Sequence, residues 1–212
     1  MKNKFLIVFL SIFFFHPIMA ENLNIQSSEI SIDKKSRLTI FKGEVVATDY
    51  KNNVFKSEYA EYKKDLKFLK SKGKTTIITS EGYFLAGTNI IFDNKSRFIK
   101  SNDKATIKDL ENNIIYLENF EYSTENNFFK STGKIKILDS NDNSYNFSQI
   151  YIDEKKREII GADIKAFLNQ ENFKIHSDNK PRIFANTVKI DNQNNEFTKS
   201  IFTLCDYRKK DK

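Results

Sequence analysis

The sequence is poor in the residues on which most catalytic and metal chemistry rests. Its 212 residues include one cysteine, two histidines, six glycines, two prolines and no tryptophan. Cys205 has no second cysteine with which to close an internal disulfide, and an odd cysteine in an exported chain implies a partner elsewhere or a free thiol. His16 lies in the N-terminal apolar segment described below, which leaves His176 alone. A nucleophile–His–acid set or a zinc centre needs more than that. His176 alternates with Ile175, as on a solvated strand face. No glycine-rich phosphate loop is present, and past the N-terminal segment no long stretch keeps a helical period.

Positive charge is not concentrated either. The formal net charge is +7, but Lys and Arg are dispersed, with Asp and Glu among them. A nucleic-acid binder gathers its positive charge into a stripe, so nucleic acid is not an expected partner. Dispersed charge marks a solvated face, and it also suits a phosphorylated, anionic partner. The recurring Asp33, Asp93, Asp153 and Asp191 each stand alone at a strand end. Calcium takes six to eight oxygens, and a turn role explains these residues more economically. Glu58 and Glu61 have the chemistry of a glycosidase pair, but nothing places them in a cleft. No catalytic residue, metal ligand or cofactor is assigned, and the chain reads as a non-enzyme.

At the N-terminus, Lys2 and Lys4 precede an apolar run from Phe5 to Phe15, interrupted only by Ser11, and Pro17 and Ala20 follow. This is the layout of a secretory signal peptide over residues 1–20, cleaved before Glu21. The run is too short to span a bilayer, which takes about 20 apolar residues. Loss of Lys2 and Lys4 takes the net charge from +7 to +5.

What the sequence does have is rhythm. Ile32-Asp33-Lys34-Lys35-Ser36-Arg37, Phe92-Asp93-Asn94-Lys95-Ser96-Arg97 and Ile152-Asp153-Glu154-Lys155-Lys156-Arg157 recur at steps of 60, with Tyr62-Lys63 and Tyr122-Ser123 midway. Gly43, Gly73 and Gly133 keep the same 30-residue step, and Asp103 fills the missing place. Such residues suit a turn or bulge with positive φ. Gly161 comes two residues early, and the entry at Ile190-Asp191 no longer keeps the step. A fixed period of this size marks a structural unit stacked on its neighbours. Within each unit, apolar and polar residues alternate with period two, as in Ile30 and Ile32 or Phe120 and Tyr122, and turns such as Lys51-Asn52-Asn53 separate the runs. Short strands at regular spacing predict an all-β sandwich, roll or barrel.

Aligned on the repeat, like stacks on like. Leu38, Phe68, Phe98 and Phe128 form one column; Ala47, Ile77, Ile107 and Ile137 a second. Ile30, Ala60, Ile90, Phe120 and Ile150 form a third, and Ile32, Tyr62, Phe92, Tyr122 and Ile152 a fourth. With Ile40, Val45 and Ile135 they describe a continuous apolar seam. Such a seam is either a closed core or the lining of a groove between splayed sheets. A groove could take acyl chains, at about 0.8 kcal/mol for each CH₂ removed from water. The stretches at 24–33 and 186–204 are the candidate free edges, with Pro181 at a boundary.

A secretory signal followed by repeats of apolar-x-apolar-Asp, turn, strand, Gly, strand resembles the OstA-like family of lipopolysaccharide-transport proteins. That family includes the periplasmic bridge protein LptA and the N-terminal domain of the outer-membrane assembly protein LptD. The resemblance covers residues 22–204. Phe202-Thr203-Leu204-Cys205-Asp206-Tyr207-Arg208-Lys209-Lys210-Asp211-Lys212 looks like the segment that joins the LptD domain to its barrel, so residues 205–212 are expected to begin such a linker. The resemblance implies one domain over residues 21–204, an open β-jellyroll of two splayed sheets, with Leu38, Ile40, Val45, Phe68, Ile77, Ile90, Phe92, Phe98, Ile107, Phe120, Phe128, Ile135, Ile137, Ile150 and Ile152 lining a lipid groove. It implies lipid A acyl chains as cargo, an LptA-like partner docked by edge-strand addition, and a periplasmic location at the outer membrane of a Gram-negative cell. A barrel and its lipoprotein plug would be partners in the LptD-like form, and Cys205 would pair with a barrel cysteine. Two other readings stay open: a stand-alone LptA-type bridge, and a closed-core structural repeat that binds only proteins.

Overall fold

The computed structural model describes residues 23–173, 180–191 and 193–204. The chain is an all-β, antiparallel jellyroll. Its strands are β1 (Asn24–Gln26), β2 (Glu29–Asp33), β3 (Leu38–Thr48), β4 (Val54–Lys63), β5 (Phe68–Ser71), β6 (Lys74–Ile78), β7 (Phe84–Thr88), β8 (Ile91–Asp93) and β9 (Phe98–Ser101). They continue as β10 (Ala105–Lys108), β11 (Ile114–Leu117), β12 (Phe120–Ser123), β13 (Phe128–Leu138), β14 (Ser144–Asp153), β15 (Glu158–Phe167), β16 (Arg182–Ile190), β17 (Asn195–Thr198) and β18 (Ile201–Thr203).

The pairings resolve into two ladders that run side by side. The first joins β2, β3, β4, β5, β8, β9, β12, β13, β14, β15, β16 and β17. The second joins β1, β3, β4, β6, β7, β10, β11, β13, β14, β15, β16 and β18. The six long strands belong to both, one half to each. At a strand spacing of ~4.8 Å, twelve strands make a roll roughly 50 Å long.

A corner divides the halves. Register shifts occur between Lys42 and Val45 in β3 and between Thr132 and Ile135 in β13. Gly43 (φ +68°), Gly73 (+79°) and Gly133 (+96°) stand there, as the sequence predicts. Asp103 does not adopt positive φ. Its Oδ2 accepts a 2.7 Å bond from Nδ2 of Asn89, which takes the left-handed conformation (+50°) in the link between β7 and β8. On β3 and β13 the inward residues keep even spacing across the bulge, Phe41 with Val45 and Phe129 with Ile135, while on the partner strands the phase shifts by one, so Ala60 and Ser57 on β4 and Ile150 and Phe147 on β14 are all buried. Apolar residues of both ladders merge into one core cluster.

Each ladder ends in a row of tight turns. In the first row the chain leaves the turn through a left-handed residue at Arg37, Lys67, Arg97, Asn127 and Arg157, and in the second at Asn52, Gly82, Asn112 and Asp142. Both rows keep the 30-residue step. Aspartates cap the turns from within: Oδ1 of Asp93 accepts from the amides of Lys95 (3.1 Å) and Ser96 (3.0 Å), and Asp33 and Asp191 do the same. The second row adds a device the period alone did not reveal. Asn53, Asn113 and Asn143 bond through Nδ2 to Asp49, Asp109 and Asp139, while their Oδ1 atoms accept the amides of Ser80, Ser140 and Asn169 in the next turn. Successive units are thereby tied by side chains as well as by the backbone.

Gly161 is needed for a close approach. A Cβ there would lie 2.5 Å from ring atoms of Phe147, which is buried. Gly161→Ala should therefore destabilise the fold by about 1–3 kcal/mol, as overpacked cores do. A lower urea midpoint at unchanged m-value checks this.

Candidate functional site

The inward faces of the ladders form two rows of directly opposed residues. On the first ladder Ile32, Thr39, Tyr62, Leu69, Phe92, Ile99, Tyr122, Phe129, Ile152, Ile159 and Ile190 follow one another. On the second the row is Ile25, Ala47, Phe55, Ile77, Leu85, Ile107, Ile115, Ile137, Tyr145, Ala166, Ile183 and Phe202. These rows make an apolar strip along the whole length of the described roll.

Of the residues that the sequence assigns to a groove, Val45, Ile77, Ile90, Phe92, Ile107, Phe120, Ile135 and Ile150 are buried in this interior, and Ile137 and Ile152 pack half-buried against it. Leu38, Ile40, Phe68, Phe98 and Phe128 project from the opposite face of their strands. Leu38 stands opposite Lys63 and Phe68 opposite Asp93, and Phe128 is 37% exposed. The reason lies in the turns. A left-handed residue closes each one, which turns the first strand residue outward and the second inward, so the buried positions are Leu69, Ile99 and Phe129. Column alignment finds both sets and does not distinguish the faces.

Between the ladders lies a cavity of about 140 Å³. Ile99, Phe120, Phe129 and Ile159 line it from the first ladder, and Ile77, Leu85, Ile107 and Ile115 from the second. Thr79, Tyr83, Asp109 and Glu154, from the two turn rows, form its polar side. A cavity of this size and lining takes a guest about as large as benzene. A larger surface hollow, about 790 Å³, lies elsewhere, among the bulge residues Glu44 and Glu58 and outward residues such as Lys56 and Lys74. The other candidate carboxylate, Glu61, is engaged by the Tyr59 hydroxyl and by Lys72.

The turn rows meet along the side away from the corner, and polar bonds cross that mouth. Lys51 Nζ donates to the Thr124 carbonyl and, at 3.2 Å, to Oδ1 of Asn127. Arg97 donates to the Tyr50 hydroxyl at 2.7 Å, with its guanidinium 5.1 Å from the ring centre. Asn127 Nδ2 reaches Glu81 at 3.4 Å. Glu154 sits just inside, accepting the Tyr122 hydroxyl at 3.0 Å. Burial, with Glu81 nearby, pushes its carboxyl up to about 7 against the pull of the Tyr122 bond. Burial and the adjacent Glu154 likewise raise the phenols of Tyr122 and Tyr83. None of these contacts is visible in sequence, because the partners lie 32 to 76 residues apart.

At its ends the strip is open. Ile32, which begins the first row, and Ile30, which stands opposite the buried Phe41, are 68% and 58% exposed, and Phe202 at the far end is 55% exposed. Among the described residues β1 and β2 pair only with β3 and β17 only with β16, so these strands present an unpaired edge at each end of the described roll. The signal segment, His176, Cys205 and the expected linker lie outside the described residues. Among those described, no group of His, Cys, Asp and Glu is arranged to hold a metal ion, and no helix is long and apolar enough to cross a membrane.

No protein-family model matches the chain, and no curated protein does. Among solved structures it is similar to LptH of Pseudomonas aeruginosa, described as the LptA-homologous periplasmic component of the conserved lipopolysaccharide transport device. The identity is 15% and the TM-score 0.28, over 66% of this chain and 80% of that one.

Glu154 gives the site a pH signature. Its folded pKa, about 7, lies above the unfolded value, so the folded state holds a proton that the unfolded state has lost. Stability should therefore fall as pH rises through that window, from about 4.5 to about 7, and level off above it. Because the group is partly screened by water, the loss is roughly 1–2 kcal/mol. In urea melts at pH 5 and pH 8, Glu154→Gln should remove this difference; an unchanged difference would assign it to other groups.

Proposed function

We propose that this chain is a non-catalytic lipid carrier of the cell envelope, an LptA-type periplasmic bridge that shelters the acyl chains of lipopolysaccharide on their way to the outer membrane. The observation that carries this reading is the inward apolar strip, whose last members, Ile30, Ile32 and Phe202, remain exposed at the two ends of the roll. A core that served only stability would cover its end residues, since each large apolar side chain hidden from water contributes about 1.5–3 kcal/mol. An apolar strip open at its ends can instead continue into a neighbour, and the edges of β2 and β17, unpaired among the described residues, offer backbone donors and acceptors for strand addition. The signal-peptide layout of residues 1–20 and the repeat pattern shared with the OstA-like family support the same reading.

The finer assignment, an LptD-like domain continuing into a barrel with its lipoprotein plug, rests on the segment around Cys205 and is the second reading. It gives the strip the same task and differs in what holds the domain at the membrane. A closed structural repeat that binds only proteins would also show exposed ends, but its interior would never contact lipid.

A photocrosslinking residue separates the two carrier readings from the structural one. Placed at Ile32, on the exposed end of the strip, it should capture purified lipopolysaccharide; placed at Phe128, on the outward face of β13, it should capture at least tenfold less. Equal labelling, or none at either position in folded protein, would remove the carrier reading and leave the structural one.

A further inference from the structure

Lysines that are dispersed along the sequence are sorted by the fold. On the outward side of the second ladder, two rows of opposed residues run from β3 to β15. The row nearer the turns begins at Thr48 and ends at Phe167, and the next begins at Val46 and ends at Lys165. Neither row contains an aspartate or a glutamate, whereas Lys56, Lys108, Lys136 and Lys165 all lie on them, exposed. The outward side of the first ladder is mixed instead. There Glu61 stands opposite Lys70, Glu121 opposite both Lys100 and Lys130, and Asp93 opposite Phe68 and Phe98. Ion pairs form on that side, Glu121 with Lys130 at 2.7 Å and Glu158 with Lys189 at 2.9 Å.

Apolar side chains share the acid-free face. Ile78, Phe84, Tyr116 and Phe167 are 40% to 43% exposed, with Val54 and Ile114 half-buried among them. Ile78 stands opposite Phe84, and Lys108 stands between Phe84 and Ile114. At the rim Leu110 is 69% exposed and leans over Gly82, where a Cβ would come 2.8 Å from its side chain. The solvated side of an antiparallel sheet is ordinarily polar, and an exposed apolar patch marks an interaction site. Carboxylates stand at the borders of the face. Glu118 and Asp163, beside the corner, accept the Lys134 amide (3.2 Å) and the Ser148 hydroxyl (2.6 Å), and Asp109 and Asp139 cap their own turns.

We propose that this outward face of the second ladder docks on an anionic lipid bilayer, with its lysines against lipid phosphates and its apolar side chains in the interfacial layer. The inference goes beyond the carrier reading and does not depend on what the interior holds. Surface attachment of this kind scales with the apolar area buried plus the attraction of cations to anionic lipid. Each lysine near such a surface strengthens attachment roughly fivefold. Lysine stems lie along apolar neighbours while their ammonium groups reach the phosphates. The face crosses nine strands, roughly 40 Å at a spacing of ~4.8 Å, so it meets a broad surface rather than a compact ligand. Attachment should weaken as salt rises, because exposed charges are screened beyond about 8 Å at physiological ionic strength.

The sequence contains no tryptophan, so one substitution places a local optical probe in the full chain. Phe84→Trp and Tyr116→Trp put the probe on the acid-free face, and Phe128→Trp puts it on the outward side of the first ladder. Each variant is titrated with vesicles brominated on their acyl chains, made of phosphatidylcholine alone or mixed with phosphatidylglycerol. The mixed vesicles should shift the emission at positions 84 and 116 to shorter wavelength and quench it, with at least tenfold less effect from phosphatidylcholine alone and no effect at position 128. In the Phe84→Trp chain, Lys108→Glu, Lys136→Glu, Lys165→Glu together should raise the lipid concentration for half-quenching at least tenfold, and Lys70→Glu with Lys100→Glu less than threefold. Lys→Gln at the same three positions, which adds no new charge, gives the same test if the reversal prevents folding, with a rise of at least fivefold. Equal quenching at positions 84 and 128, no quenching at position 84, or quenching that survives loss of the three lysines overturns the proposal. A response to polyglutamate without a response to vesicles assigns the face to an acidic protein and overturns it as well. Lipopolysaccharide capture at Ile32 is read separately, so the failure of one reading leaves the other standing.

Discussion

Every long strand in this protein has to serve two sheets, and the bend that lets it do so is the constraint on which the rest depends. A strand that ran straight through would carry its apolar side chains onto one flat sheet with no partner layer. The bulges after Lys42 and Thr132 insert the extra residue that turns the chain and keeps the apolar alternation facing the same space on both sides. Gly43, Gly73 and Gly133 adopt positive φ at the bend, and Asn89 does so in the link between β7 and β8. The two inward rows, the single merged core and the mouth opposite the corner all follow from that bend.

The corner and the mouth are stabilised by different physics. Near the corner the interior is dry: Val45, Leu69, Ile90 and Ile150 are completely or almost completely buried. At the mouth the contacts are polar and partly wet, and they include one carboxyl, Glu154, whose burial keeps it from ionising freely. Backbone ladders and the Asp–Asn turn ties fix the spacing between units along the roll, whereas among the described residues the bonds between the turn rows across the mouth come from side-chain donors. The roll is thus stiff lengthwise and weakest where it would have to open. That asymmetry suits a container better than a scaffold.

How much of this was legible in the sequence follows from what repeats. The 30-residue step, the all-β class, the turn aspartates and three of the four apolar columns are local or periodic, and they survive in the structure. The column of Leu38, Phe68, Phe98 and Phe128 is just as regular, but it faces outward, because one left-handed residue before it reverses the phase. Period two gives two faces and does not say which is inside. The Asn53, Asn113 and Asn143 ties are also periodic, yet asparagine is common between the runs and its turn role hid the bond to the next unit. The contacts of Lys51, Arg97 and Glu154 leave no pattern, since they depend on how far one turn row is offset against the other.

The central claim, that two bent ladders enclose a space which receives fatty chains, has a direct test in a crystal structure of the protein grown with a lipid carrying bromine along its acyl chain. The account predicts anomalous bromine peaks between the ladders, close to Ile99, Ile107 and Ile115, with the turn rows farther apart than in the unloaded molecule. Bromine found only against the outward Phe98 and Phe128, with the interior unchanged, would contradict it.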